Sequence, residues 1–313
     1  MKKIIKIVAR ITVILLAIIG LLSLVLFGAI CYKVDVKGEP VNINIAPSPH
    51  VVLDKYVEKL QAHNDFYADT ISVKMTSNCD SIRAAEIFDY FRLDTLYTPK
   101  SSTWEKTLAI AKFVAKNIPH NNQRIQPDSR DAITLWEYTK NVEPAFNCRL
   151  HSILTFELLQ AAGIEARFIT CMPEDKNEFD CHVVNHVWLP ELDKWAMIDS
   201  DSGGNWASDS NGTPLSIPEL RDYYIYGKDI YFHPEFGASS CEKSHYYGYM
   251  AKNTFWFSCW ETHQFSQEPS EGRNVGRYIS LVPKGYEPFG LNQADIVIHN
   301  AEQFWAAPSN KRN

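Results

Sequence analysis

The strongest constraint on the fold is one helical pattern followed by three strand-like segments. Residues 148–161 carry an apolar stripe at helical spacing, and Gly163 follows where a helix end favours glycine. The segments 164–172, 181–189 and 195–201 are rich in branched and aromatic residues, which predicts strands. A helix ahead of antiparallel strands predicts an α+β fold in which the helix packs on the sheet.

A cysteine, Cys148, stands at the start of this predicted helix. The N-terminus of a helix carries partial positive charge and unpaired N–H groups, which favour a thiolate and can bind a developing oxyanion. Buried cysteines with a purely structural role are also common, so this position alone leaves a core residue and a nucleophile both open.

The second and third strands predict a hairpin that brings a histidine to an acid. With residues 191–194 as a four-residue turn, Pro190 pairs with Trp195 and His186 lies opposite Asp199. An acid opposite a histidine fixes the tautomer of the imidazole and stabilises the imidazolium, which leaves the other ring nitrogen for a thiol.

The sequence therefore predicts Cys148 as nucleophile, His186 as base and Asp199 as orienting acid. The competing interpretation makes His186 a core histidine and Asp199 an acid at a strand end. His182, on the same strand face, is the alternative base, although this register places it opposite Gly203 and away from the acid.

Two segments carry a family resemblance. The stretch NCRLHSILTFELLQAAGIEARFI and the later HVWLPELDKWAMIDSD resemble the transglutaminase-like superfamily, within the papain-like cysteine fold. The resemblance covers roughly residues 106–206 and implies the same three roles for Cys148, His186 and Asp199. It also implies thiol chemistry that needs no cofactor.

Three positions depart from the pattern of the family. Phe146 stands where a small residue is frequent, and Arg149 and His151 replace acidic or small residues just after the cysteine. A bulky entrance of this kind narrows the choice of substrate or marks a member that has lost catalysis. All three catalytic residue types are present, which favours an active enzyme.

The resemblance predicts thiol-dependent acyl transfer on amide bonds, as a cysteine peptidase or amidase acting on a protein or peptide. Two alternatives stay open: an amine-accepting transglutaminase that cross-links its substrates, and a catalytically inactive binding scaffold tethered to the membrane. A net charge of −6 argues against a nucleic-acid partner.

Metal sites are weaker interpretations of the same residues. Cys148 with His151, and His182 with His186, have spacings found in some zinc sites. On a strand, however, rings four residues apart lie roughly 13 Å from one another at about 3.3 Å per residue. Residues 199–205 resemble the start of a calcium loop but lack its closing glutamate. No metal and no cofactor are therefore expected.

The N-terminus predicts a membrane anchor. Four basic residues precede a run of 21 residues without a charge, Ile11 to Cys31, which is long enough to span a bilayer. Basic residues before the span predict a single-pass protein of the cell membrane with its catalytic region on the non-cytoplasmic side, facing the periplasm or cell exterior. The alternatives are a cleaved signal peptide and a lipoprotein processed at Cys31.

Four segments follow from these patterns: an anchor at 1–32, a tether and helical lead-in at 33–100, a catalytic core at 101–210 and an aromatic-rich extension at 211–313. Between residues 223 and 260 there are 13 aromatic residues. Their rings either pack on the core or line a groove for a peptide or glycan. Two disulfides, Cys171–Cys181 and Cys241–Cys259, are open possibilities.

Overall fold

The computed structural model describes residues 15–18, 20, 34–36, 39–41, 49–67, 71–178, 180–201, 204–234, 240–268, 276–289 and 295–308. The chain divides into one unit of residues 1–51 and a second of residues 52–313. Most of the predicted anchor, residues 1–32, lies outside the described residues. Among the described residues, no helix combines the length and the apolar character needed to cross a membrane.

The helices and strands are numbered separately along the chain. The described helices are α1 (Pro49–Ala62), α2 (Ser81–Phe91), α3 (Thr103–Asn117), α4 (Ala132–Asn141), α5 (Cys148–Ala161), α6 (Ile217–Ile225), α7 (Ser240–Asn253) and α8 (Ala301–Phe304). The described strands are β1 (Val34–Val36), β2 (Glu39–Val41), β3 (Thr76–Ser77), β4 (Ala166–Met172), β5 (His182–Leu189), β6 (Lys194–Ile198), β7 (Asn205–Ser208), β8 (Tyr231–Pro234), β9 (Trp256–Trp260), β10 (Thr262–His263), β11 (Tyr278–Leu281) and β12 (Asp295–Ile298).

A six-stranded sheet forms the centre of the second unit, in the order β12-β11-β9-β4-β5-β6. Neighbouring strands are antiparallel except β11 and β12, which are parallel. The predicted helix and three strands correspond to α5, β4, β5 and β6, so the predicted α+β arrangement of this region is confirmed.

Both faces of the sheet are covered, because side chains alternate along each strand. On β5, Val183 and Val187 belong to the core that also contains the apolar side chains of α3, α4 and α5. Val184, between them, belongs to a second core on the opposite face, with Met197 of β6 and apolar residues of α6 and α7. The strand is therefore buried along its whole length.

The C-terminal hundred residues are part of the main fold, because they supply three of the six strands of the central sheet: β9, β11 and β12. Several of the clustered aromatic residues are buried there, including Tyr246, Trp256 and Trp260. This burial favours the interpretation in which the rings pack on the core.

The hairpin loop between β5 and β6 is shifted by one residue from the predicted turn. It comprises Pro190 to Asp193, and Leu189 pairs with Lys194. Pro190 has no N–H to continue the ladder. Asp193 takes a φ of 48°, in the left-handed region that aspartate tolerates better than most residues. Both residues therefore favour the loop over the strand.

The shift changes which residues face each other across the hairpin. His186 pairs with Met197, so the predicted pairing of His186 with Asp199 is wrong. Continued by one step, the same register places Asp199 beside the position of Val184, diagonally between His182 and His186 on one face. From this position Asp199 can reach only one of the two histidines.

The cysteines of the described region are present as thiols. Cys171, Cys181 and Cys259 form no disulfide, whereas the side chain of Cys241 lies outside the described residues. Neither of the two possible disulfides is therefore formed.

Candidate active site

Cys148 begins α5 and is partly exposed. Asn147 caps this helix: its side-chain oxygen accepts from the N–H of Leu150 at 3.1 Å, and its carbonyl accepts from the N–H of His151. The capping leaves the N–H groups of Cys148 and Arg149 in the first turn to face an anion. The thiol thus lies at the positive end of a fully formed 14-residue helix.

His182, at the start of β5, is the histidine beside the thiol. Its Nε2 lies 2.7 Å from Oδ2 of Asp199, and both side chains are buried. The Sγ of Cys148, a ring nitrogen of His182 and a carboxylate oxygen of Asp201 all lie within 4.8 Å of one another. The structure therefore brings Cys148 and Asp199 to one site, as predicted. The histidine between them, however, is His182 and not the predicted His186.

Two further donors hold the carboxylate of Asp199. The hydroxyl of Tyr246, on α7, donates to Oδ2 at 2.7 Å, and the N–H of Asp201 donates to Oδ1 at 2.9 Å. With His182 this gives the buried carboxylate three partners on two oxygens. A charged acceptor held in this way stays aligned with the imidazole.

The surroundings of His182 favour its charged form. Burial alone would lower its pKa, but the neighbouring Asp199 carboxylate and the Cys148 thiol raise the pKa of His182 well above its usual value. The imidazolium is therefore stabilised between an acid and a sulfur atom, which is the electrostatic arrangement of a thiolate–imidazolium pair.

His186 lies elsewhere on the same strand face. Its ring stacks on Trp195 with centroids 5.1 Å apart, and its Nδ1 lies 3.4 Å from a terminal nitrogen of Arg167. Burial, with the nearby charges of Arg167 and Lys194, holds the pKa of His186 well below its usual value. His186 is thus a neutral core histidine, which matches the competing interpretation.

A second histidine–acid pair, which the sequence did not reveal, adjoins the thiol. His120 Nδ1 lies 2.9 Å from both carboxylate oxygens of Asp201, and His151 Nδ1 lies 3.5 Å from one of them. The hydrogen bond with Asp201 raises the pKa of His120, and the same bond contributes to a lowered pKa of Asp201 against its burial. His120 is half exposed while Asp201 is buried, so the imidazole edge reaches solvent next to Cys148.

The backbone brings His120 to this place. Residue 120 forms a parallel bridge with Phe146, and the N–H of Asn121 donates to the carbonyl of Phe146 at 2.8 Å. The bridge joins the end of α3 to the loop just before Cys148. Only this contact between distant segments could identify His120, since no local motif in the sequence marks it.

Residues 92–200 match the family model of the transglutaminase-like superfamily, about a third of the chain. The chain carries a transglutaminase-like domain. The match includes Cys148, His182 and Asp199 and ends one residue before Asp201. No curated protein matches the sequence.

Two solved structures are similar to a part of this chain. A candidate cysteine protease from Cytophaga hutchinsonii shares 16% identity over 50% of each chain, with a TM-score of 0.31. A candidate protease from Parabacteroides distasonis shares 13% identity over 48% of this chain and 26% of its own length, with a TM-score of 0.24. The chain thus spans half or less of each, and at these scores neither similarity bears on its activity.

The three residues that depart from the family pattern, Phe146, Arg149 and His151, have structural partners. Phe146 is fully buried and packs edge-on against His151, whose Nε2 lies 3.0 Å from the carbonyl oxygen of Ile118. Arg149 forms a two-pronged ion pair with the buried carboxylate of Glu268. These bulky residues therefore fill the core and the flank of α5, and they leave the thiol partly exposed.

The grouping of Cys148, His182 and Asp201 also has the composition of a metal site. A thiolate, an imidazole and a carboxylate are all ligands that zinc accepts, and three protein ligands with one open position are typical of catalytic zinc. His151 and His186, which have zinc-like spacing to Cys148 and His182 in the sequence, take no part in this grouping. Asp201 is already bound by His120, and Nε2 of His182 by Asp199, so only His182 Nδ1 is left for an ion or a thiol.

Proposed function

We propose that the protein is a cysteine hydrolase that acts on amide bonds. Cys148 attacks the amide carbonyl, His182 transfers the proton, and Asp199 orients His182. The observation that carries the proposal is the buried 2.7 Å contact of His182 with Asp199 next to a thiol at a helix N-terminus. The transglutaminase-like domain supports thiol chemistry of this class. A protein or peptide is the proposed substrate.

The first half-reaction forms a thioester. Cys148 Sγ attacks the carbonyl carbon as a thiolate, and the carbonyl oxygen takes up the electron pair. His182 Nδ1 then gives its proton to the leaving amine as the C–N bond breaks, while Nε2 stays bound to Asp199. The N–H groups of Cys148 and Arg149 stabilise the oxyanion of the tetrahedral intermediate.

The second half-reaction releases the acyl group. Neutral His182 takes a proton from a water molecule, the hydroxide attacks the thioester, and Cys148 leaves as thiolate. An amine in place of water would give transamidation, which is the second product class open to the same residues. Water is the proposed acceptor, because hydrolysis needs no second binding site for an amine.

The His120–Asp201 pair lies close enough to the thiol to support the same reaction, since Asp201 is within 4.8 Å of Cys148 Sγ. The imidazole of His120 is half exposed, so it can donate a hydrogen bond to a substrate oxygen or to the leaving group. We propose His120 as a positioning residue for the substrate. His120→Gln should raise KM more than it lowers kcat.

Thiol reactivity tests the proposed pair directly. Cys148 should react with iodoacetamide faster than the partly exposed Cys181, because burial raises the pKa of Cys181. Near pH 6 the rate at Cys148 should be about tenfold or more higher than the rate at Cys181. His182→Gln should abolish this difference, because it removes the imidazolium that stabilises the thiolate. His186→Gln should leave it intact, since His186 does not contact the site.

Two outcomes would favour a function other than amide hydrolysis. Equal alkylation of Cys148 and Cys181 in the wild type, with no amidase activity on a peptide library, would favour an inactive scaffold. Stoichiometric zinc in the purified protein that is lost in Cys148→Ser and in Asp201→Asn would favour a metal site. Retained turnover in Cys148→Ala on the same peptides would contradict the cysteine mechanism altogether.

We propose that residues 1–32 anchor the enzyme in the cell membrane with the catalytic region on the non-cytoplasmic side. The supporting observation is the uncharged run from Ile11 to Cys31 behind four basic residues. Protease added to intact spheroplasts should then remove the region after residue 32. Protection until lysis would reverse the orientation, and release of the catalytic region into the medium would favour a cleaved signal peptide.

A further inference from the structure

A buried arginine, Arg167, lacks the partner that its charge requires. Its side chain is 1% exposed, and the described residues give it no ion-pair partner. One terminal nitrogen donates to the carbonyl of Phe304 at 2.9 Å, the other lies 3.4 Å from His186, and Nε has no acceptor. His186 is neutral, and the carboxylate of Glu165 acts on the guanidinium only at longer range, where with Cys259 it raises the pKa of Arg167 against the effect of burial.

Contacts with aromatic rings compensate only in part for the burial of this charge. The guanidinium carbon lies 4.4 Å from the ring centre of Trp195 and 5.5 Å from that of Trp305. Contacts of this type offset only a part of the cost of burying a cation. A buried ion without full compensation is strongly destabilising, so an acceptor for Nε is still needed.

A second buried side chain without a partner lies in the same place. His263, on β10, is 3% exposed, and neither of its ring nitrogens has a hydrogen-bond partner. Arg167 and His263 both line one cavity of about 50 Å³, together with Thr76, Ser77 and Trp195. Unsatisfied buried polar groups are rare in proteins, and two of them facing one cavity indicate that something polar occupies it.

The other buried arginine of the fold shows what a satisfied site is like. Arg221 is 3% exposed and also has no ion pair among the described residues. Its Nε donates to Thr254 O at 3.0 Å, and its terminal nitrogens donate to Asn64 Oδ1 and to His63 O. Every nitrogen of Arg221 thus has an oxygen acceptor, which Arg167 lacks.

We propose that this cavity binds a compact monovalent anion, chloride or a short carboxylate such as formate, between Arg167 Nε and His263. A water molecule needs about 10–15 Å³ by the same measure, so the cavity has room for the few atoms of a small anion. Nε and an imidazole N–H are the donors, and Thr76 and Ser77 also line the cavity. Glu165 also lines the cavity, and since its carboxylate repels any anion there, a single negative charge is favoured over two.

Thermal unfolding of the full chain in detergent tests the proposal. Potassium chloride and potassium formate at 100 mM should raise Tm by roughly 2–4 °C over potassium gluconate at equal ionic strength, and the rise should saturate. Gluconate is much bulkier than chloride or formate and controls for ionic strength. Arg167→Met should lose the rise, whereas Arg221→Met should lower Tm yet keep it.

A second variant and a direct measurement keep the result decisive. If Arg167→Met does not fold, His263→Leu should remove most of the chloride-dependent rise. A crystal grown in bromide should show an anomalous scattering peak next to Arg167 Nε. The same Tm in chloride, formate and gluconate, or water alone at the bromide position, would overturn the proposal.

Discussion

Asp199 is the residue on which the charge balance of the site depends. It is fully buried and accepts from Tyr246 and from the N–H of Asp201 while it binds His182. Of these partners, only His182 can exchange a proton with the thiol. The carboxylate charge therefore acts on the chemistry through the pKa of His182.

Asp199→Asn should narrow the pH range of the enzyme from its alkaline side. The carboxylate raises the pKa of His182, so its loss lets the imidazolium lose its proton at a lower pH. The alkaline limb of kcat/KM should move to lower pH, and turnover should fall on the order of 10³-fold. Rates measured from pH 5 to 10 check this, with Tyr246→Phe as a control that keeps the charge.

An alkaline limb that stays in place in Asp199→Asn would mean that Asp199 does not act on the catalytic histidine. The same limb in His186→Gln should coincide with that of the wild type. A shift there instead would return the role of base to His186.

The proposed nucleophile and acid could be predicted from the sequence, whereas the proposed base could not. Cys148 and Asp199 are fixed by local signals, a helix start and a strand end. The choice of histidine depends on the hairpin register, where one residue decides the pairing. Pro190 and Asp193 carried the signal for the correct loop, but Tyr246 and His120 reach the site only through long-range contacts.

At the scale of elements, the C-terminal part of the chain holds the nucleophile helix from the side. The Glu268 carboxylate accepts hydrogen bonds from Arg149 of α5, from Arg130 at 3.2 Å and from the indole N–H of Trp260 at 2.8 Å. The carboxylate is 4% exposed, and its charged partners lower the pKa of Glu268 against the effect of burial. The residue next to Cys148 is thus fixed by a segment 119 positions away.

Glu268→Gln should destabilise the fold by about 2 kcal/mol, because it leaves the Arg149 and Arg130 charges without a counter-ion in a largely buried place. Partial exposure of Arg149 keeps the loss below that of a fully buried pair. Urea unfolding measures the change. Glu261→Gln, which breaks the pair with the exposed Arg277, is the control and should cost less than about 1 kcal/mol.

A loss in Glu268→Gln no larger than that in Glu261→Gln would show that the contact does not hold α5. If the contact does hold it, alkylation of Cys148 should also slow in Glu268→Gln, since the first turn of α5 loses its lateral support. The control variant should alkylate at the wild-type rate.

Across the whole molecule, buried histidines set opposite limits on stability. Burial, with the charge of Arg167, lowers the pKa of His263 to about 3, and that of His186 is lowered as well. In the unfolded chain both histidines would bind protons near pH 6.5, whereas in the folded protein they stay neutral. Each histidine therefore contributes stability above about pH 6.5, and this contribution is lost as the pH falls. His182 has a raised pKa and acts in the other direction, as its contribution is lost when the pH rises above 6.5.

Acidification should therefore destabilise the wild type through His263. Between pH 6.5 and 5 the unfolded chain binds one proton more at this residue, which lowers the free energy of unfolding by about 2 kcal/mol. In His263→Leu this part of the loss should vanish, while the part due to His186 stays. Urea unfolding at pH 7.0 and 5.0, in gluconate so that no small anion enters the cavity, measures both. An equal loss in the two proteins would mean that His263 is already protonated in the folded state.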